Sequence, residues 1–185
     1  MMCLSIFVLL ILSVSVVSAN DNVSSDELSI DGTNSYIISG SFADLQTIID
    51  SDTTGEINLT EDYVYSSSDS SISIDKQVTI NGNNHIIDAN GASTIFSVNG
   101  SNVILNNLTI KNINITSAKT NAILWNGENG NLINCNISNN YVSQFLGAIV
   151  YWNASSGTID NCIFDNNDLS SNTAPNIISS TLVWR

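Results

Sequence analysis

The chain has 185 residues, enough for one domain, and 43% of them are apolar, too many for a disordered chain. Its net charge is −13 against four cations, Lys76, Lys111, Lys119 and Arg185, a balance that argues against nucleic acid or anionic lipid as partners. Ionisable residues make up 11% while Asn alone fills 28 positions, so solubility has to come from amides and hydroxyls.

The apolar run from Leu4 to Val17, closed by the small residues Ser18 and Ala19, predicts a secretory signal peptide over residues 1–19, cleaved after Ala19. No Lys or Arg precedes the run, which leaves an uncleaved anchor open as the alternative, although the run is short for a membrane span. Residues 20–40, rich in Asp, Ser and Asn, read as a polar mobile leader. Ser41 followed three residues later by Asp44 is near-capping-box chemistry, and Phe42, Leu45, Ile48 and Ile49 share one helical face. A short amphipathic helix over residues 41–50 suits a cap on the open apolar end of a repeat stack. With the alternating pairs Ile57/Leu59, Tyr63/Tyr65 and Ile72/Ile74, residues 41–77 form the capping helix and first irregular coils. Val78/Ile80 and the Asn81-Gly82 turn open the repeat region, residues 78–185.

From Phe96 onward the sequence repeats every 27 residues. Leu105–Asn112 aligns with Leu132–Asn139 and Ile159–Asn166, and Phe96–Asn99 aligns with Ile123–Asn126 and Val150–Asn153. Gly130 and Gly157 keep the same step, and Ile177 is expected to continue the Phe96 column. A fixed period of this size marks a repeat architecture. Within a row, apolar residues stand two apart (Leu108/Ile110, Cys135/Ile137), which is strand spacing, and Asn pairs or Gly mark the turns. Three strands per row close one coil of a parallel β-helix, so the fold expected is an all-β, right-handed parallel β-helix solenoid with coils of about 27 residues and an N-terminal capping helix. Equivalent Asn residues then stack, predicting amide ladders through Asn107/Asn134/Asn161 and Asn99/Asn126/Asn153, with Asn112/Asn139/Asn166 as a third.

Ser41-Phe42-Ala43-Asp44-Leu45-Gln46, Ile57-Asn58-Leu59-Thr60-Glu61-Asp62-Tyr63 and Val78-Thr79-Ile80-Asn81-Gly82-Asn83-Asn84-His85 resemble the opening of pectin-lyase-like right-handed β-helix proteins. The rows around Cys135 and Cys162, with Gly147-Ala148-Ile149 between them, resemble adhesin-like surface proteins of methanogenic archaea and polymorphic outer-membrane-type repeats. The resemblance covers residues 41–185. It implies a secreted or cell-surface protein that adheres to cells or glycans.

Chemistry on acidic polysaccharides needs converging carboxylates, or Asp-bound calcium beside a basic residue. Asp160 and Asp165 flank one turn, but Ile133 and Ser138 occupy their columns in the preceding row, so no catalytic or metal site and no cofactor is expected. Asp75 and Asp88 read as solvated, Lys111 and Lys119 as ordinary surface charges, and His85, the single histidine, as a surface residue without an acidic partner at ligand spacing.

Cys135 and Cys162 share the Leu108 column and are expected to stack inside adjacent coils. Free buried thiols are the favoured reading, with a disulfide as the alternative. Trp125 and Trp152 are core residues if Phe96/Ile123/Val150 face inward. A strand shifted by one residue would instead turn the two indoles outward, next to Tyr151, as a sugar-stacking platform. Seven Asn-x-Ser/Thr sequons occur, about what this composition gives by chance; Asn58 and Asn114 are the fair N-glycosylation candidates and Asn107, in a tight turn, a poor one.

The function these residues favour is a non-catalytic, adhesin-like secreted or cell-surface module whose partner is a cell-surface polysaccharide or a neighbouring cell. The alternative is a pectin-lyase-like polysaccharide lyase or hydrolase whose catalytic coils lie outside this chain. Nucleic acid is not an expected partner. The membrane enters only through an uncleaved signal segment or a C-terminal anchor beyond Arg185, because Thr181-Leu182-Val183-Trp184 ends the row without a polar cap and predicts a fragment of a longer product.

Overall fold

The structure, a computed structural model, describes residues 39–143, 147–169 and 176–180. The expected signal peptide, its cleavage after Ala19 and all but the end of the 20–40 leader lie outside the described residues. The chain enters through β1 (Gly40–Ser41) and α1 (Phe42–Ser51). Ser41 caps the helix as its sequence predicts: its hydroxyl accepts from the Asp44 N–H at 3.1 Å, and the Asp44 carboxylate accepts from the Ser41 N–H at 2.8 Å. Phe42, Leu45 and Ile49 are buried beneath it, whereas Ile48 stays 37% exposed.

Five coils follow, each built from three short parallel strands. The first is β2 (Glu56–Asn58), β3 (Tyr63–Val64) and β4 (Ile72–Ile74); the second is β5 (Thr79–Asn81), β6 (Ile86–Asp88) and β7 (Phe96–Val98). The third is β8 (Ile104–Asn106), β9 (Thr109–Lys111) and β11 (Asn121–Trp125), with the small strand β10 (Asn114–Ile115) between the last two. The fourth repeats that plan as β12 (Gly130–Ile133), β13 (Asn136–Ser138), β14 (Tyr141–Val142) and β15 (Ala148–Trp152). The fifth is β16 (Gly157–Asp160), β17 (Ile163–Asp165) and β18 (Asn176–Ser180). Like strands stack into three sheets, β2-β5-β8-β12-β16, β1-β3-β6-β9-β13-β17 and β4-β7-β11-β15-β18, and β10 pairs with β14.

This is a parallel β-solenoid, and the core is its interior. The inward files run Ile57/Ile80/Leu105/Leu132/Ile159, Tyr63/Ile87/Ile110/Ile137/Phe164 and Ile72/Phe96/Ile123/Val150/Ile178. Each file is a column of like apolar side chains at strand spacing, about 4.8 Å. The 27-residue step holds from Phe96 to Val150, and the earlier coils are shorter: Ile80 over Ile57, Ile87 over Tyr63. Ile178, not Ile177, continues the Phe96 file. The connection from Asp168 to Asn176 is one residue longer than that from Tyr141 to Ala148, which shifts the register by one.

Asn makes the corners sharp enough for so short a coil. Of the twelve non-glycine residues with positive φ among the described residues, eleven are Asn, among them Asn107 (57°), Asn134 (55°) and Asn161 (49°) in one file and Asn112 (60°), Asn139 (57°) and Asn166 (50°) in another. Asn tolerates the left-handed region better than other residues with a Cβ, and its amide is then free to bond along the axis.

Candidate functional site

The corner from the first sheet to the second is turned in a few residues, and so is the corner from the third sheet to the next coil. The corner from the second sheet to the third is longer: residues 65–71, 89–95 and 112–120 in the first three coils. These three loops lie side by side and enclose a groove of about 660 Å³, whose lining includes Tyr65, Asp69, Asn90, Thr94, Asn114 and Thr116. An adjoining hollow of about 360 Å³ shares Ser71 and Thr94 with it and reaches Lys119, Asn121 and Leu124.

The Tyr65 ring is fixed by an edge-to-face contact with Phe42 of α1, centroids 5.4 Å apart and planes at 77°. Asp69 is held by its own loop, its Oδ2 accepting from the Ser66 N–H at 2.8 Å and the Phe42 N–H at 3.3 Å. Asn90, with a φ of 44°, donates its amide to the Tyr65 carbonyl at 3.1 Å and so ties the second loop to the first. The Asn114 N–H donates to the Ala92 carbonyl at 3.1 Å and ties the third to the second. At the adjoining hollow the Asn121 Oδ1 is buried and accepts no hydrogen bond among the described residues. Hydroxyls, amides and one tyrosine ring can hydrogen-bond and stack.

No family model, no curated protein and no solved structure matches the chain.

The outward alternative for the tryptophans is corrected. Trp125 and Trp152 are buried in the third sheet, stacked with centroids 4.4 Å apart and planes 12° from parallel. Inward-facing Phe96, Ile123 and Val150 set that register, so neither indole can meet a sugar. Tyr151 does face outward, half-buried, beside Leu124 of the preceding coil. Gly130 and Gly157 have their reason here: a Cβ on Gly130 would lie 2.1 Å from the Trp125 Nε1, and one on Gly157 2.3 Å from the Trp152 ring.

Two of the three expected amide ladders are present, one of them with a substitution of members. Asn153 donates to Asn126 at 3.1 Å and Asn126 to Asn99 at 2.9 Å. Asn161 donates to Asn134 at 2.7 Å, but Asn134 donates to Asn106 at 2.9 Å rather than to Asn107, and Asn106 continues to Asn81 at 3.1 Å. Asn106 sits directly over Asn81, whereas Ile133 follows it in the next coil, so the file of amides crosses to the neighbouring column. Asn166 bonds to Asn139, whose own amide turns to Ser138 at 3.5 Å, which interrupts the third ladder.

Two carboxylates expected to be solvated each accept from an asparagine amide of the next coil. Asp75 accepts from the Asn99 amide at 2.7 Å, and Asp88 accepts from Asn112 at 2.9 Å and pairs with Lys111 at 3.6 Å. Lys111 therefore has a partner. So does His85, whose Nδ1 lies 3.0 Å from the Asp62 Oδ1; that oxygen also accepts the Ile86 N–H at 2.9 Å. Glu128 receives the hydroxyls of Ser156 and Ser155 at 2.6 and 2.7 Å and the Ser155 N–H at 3.1 Å, which lower its pKa to about 2.

Cys135 and Cys162 occupy the interior file of Leu108, both unbridged, Cys135 buried and Cys162 half-buried. Of the sequons, Asn58 is exposed although its Oδ1 accepts from the Asn81 amide at 3.1 Å, Asn114 is exposed within the groove, and Asn107 sits in its left-handed turn. No helix among the described residues is long and apolar enough to cross a membrane.

Proposed function

We propose that the chain is a non-catalytic, adhesin-like module of a secreted or cell-surface protein, and that it holds a cell-surface glycan in the groove between its second and third sheets. The observation that carries this reading is the groove's lining. Ser, Thr and Asn from three successive coils face one concave surface beside a fixed tyrosine ring, the mixture of hydroxyl, amide and aromatic face that suits a sugar. The coils advance by about 4.8 Å, comparable with the advance per sugar along an extended polysaccharide, so successive loops can meet successive sugars. A net charge of −13 disfavours uronic-acid chains and leaves uncharged glycans as the better match. The resemblance of residues 41–185 to adhesin-like repeats and the apolar run before Ala19 support the surface location.

The test is retention of the purified full chain on immobilised neutral and acidic polysaccharides, with release of reducing ends and of unsaturated products followed in parallel. Retention on a neutral glycan without depolymerisation is expected. Thr94→Arg, which puts a long side chain into the groove, should lower affinity about tenfold or more, a loss of about 1.4 kcal/mol. Depolymerisation of any polysaccharide, or equal retention of the Thr94→Arg protein, would overturn the reading.

A further inference from the structure

The second feature with chemical capacity lies away from the groove. Asn136 of β13 pairs with Ile163 of β17, so the residues just before them, Cys135 and Cys162, stack directly on adjacent coils. The Ile163 N–H donates to the Cys135 carbonyl at 2.8 Å, which holds the two backbones at strand separation, about 4.8 Å. A disulfide accepts a Cα spacing of about 4.4–6.8 Å. Both side chains enter the same interior file. Each sulfur also lies near main-chain carbonyls, Cys135 at 3.2 Å from that of Ile133 and Cys162 at 3.3 Å from that of Asp160.

The two differ in access. Cys135 is 1% exposed, while Cys162 is half-buried. The neighbouring Cys135 thiol favours the thiolate of Cys162 and lowers its pKa, against burial and the nearby Asp160 charge. The same proximity, with burial, raises that of Cys135. An accessible attacking sulfur therefore sits against a buried resolving one.

We propose that Cys135 and Cys162 form an oxidative modification site, closed into an inter-coil disulfide by a low-molecular-weight disulfide. The Cys162 thiolate attacks one sulfur of the oxidant, forming a mixed disulfide and releasing the first small thiolate. Cys135 loses its proton and attacks the Cys162 sulfur, expelling the second. Two protein thiols and one small disulfide become one protein disulfide and two small thiols, with both protons taken up by the leaving thiolates. The bond pins the fifth coil to the fourth, where the fifth coil's inward Ile159, Phe164 and Leu169 are only partly covered.

The test exposes the folded full chain to oxidised glutathione and maps a non-reduced digest by mass spectrometry, with Cys3 resolved on its own peptide. A linked Cys135–Cys162 peptide is expected, reversed by dithiothreitol and formed at least tenfold faster in the folded protein than in the same chain in urea. Cys135→Ser should stop at the mixed disulfide on Cys162, and Cys162→Ser should leave Cys135 unmodified while folded. Equal rates in folded and unfolded protein, a persistent mixed disulfide on the wild-type Cys162, or two sulfurs that stay free would each overturn the proposal.

Discussion

The side-chain amide of Gln46 pairs with the backbone of Ser73 twice: its Oε1 accepts the Ser73 N–H at 2.7 Å and its Nε2 donates to the Ser73 carbonyl at 3.0 Å. Ser73 lies in β4, the strand that opens the third sheet, so one glutamine reproduces there the two bonds a further strand would make. The helix thus covers the apolar end with Phe42, Leu45 and Ile49 and closes the exposed strand edge with Gln46.

Replacing that amide tests the arrangement. Gln46→Ala leaves a partly buried N–H and carbonyl without protein partners and should cost about 1–3 kcal/mol in chemical denaturation. It should also raise the aggregation rate, because an open strand edge templates pairing.

The glycine under the indole is a second test. Gly130→Ala sets a methyl group 2.1 Å from the Trp125 Nε1, in a stack that has no room to give, and overpacking of this kind costs about 1–3 kcal/mol. Tryptophan fluorescence should shift to the red in the folded variant as the stacked pair is displaced. An unshifted spectrum at wild-type stability would contradict the packing.

Asn134 does two jobs that substitutions can separate. Asn134→Gly keeps the left-handed turn and loses the ladder bonds, whereas Asn134→Ala loses both. The alanine protein should be less stable than the glycine protein by about 1–2 kcal/mol, the left-handed penalty for a residue with a Cβ. Asn126→Ala, at a position without positive φ, removes bonds to Asn99 and Asn153 and should cost about 1 kcal/mol per bond. Thermal denaturation of the three proteins checks the order.

Glu128 gives a pH dependence. Its folded pKa, lowered to about 2 from an ordinary 4.5 by the Ser156 and Ser155 hydroxyls, lies below the unfolded value. Its stabilising contribution is complete above pH 4.5 and is lost as pH falls toward 2. Glu128→Gln should flatten the fall in stability over that window, measured by urea denaturation at successive pH values.

The later coils were legible in the sequence because their 27-residue step lines up like with like: Leu105 over Leu132 over Ile159, Gly130 over Gly157, Asn99 over Asn126 over Asn153. The capping helix was legible because Ser41 and Asp44 carry a local signal. What escaped lies in the shorter coils. Asp75 meets Asn99, and Asp88 meets Asn112, at a separation of 24, and Asp62 meets His85 at 23, so a comb of 27 teeth passes over all three pairs. The groove escaped for another reason. It is made by loops lying side by side, whose Ser, Thr and Asn residues need only be polar and follow no column. The orientation of Trp125 was open to a one-residue shift until the Ile123 register fixed it.

Glu56 and Asp75 each stand where a file of amide donors arrives, and those donors point toward α1. The body is thereby directional, its amide donors running from later coils to earlier ones and ending on carboxylates. Inserting a second copy of residues 105–131 would extend the body by about 4.8 Å. Reach, for such a protein, is a matter of how many rows are copied, and the anchoring carboxylates need to be supplied only once.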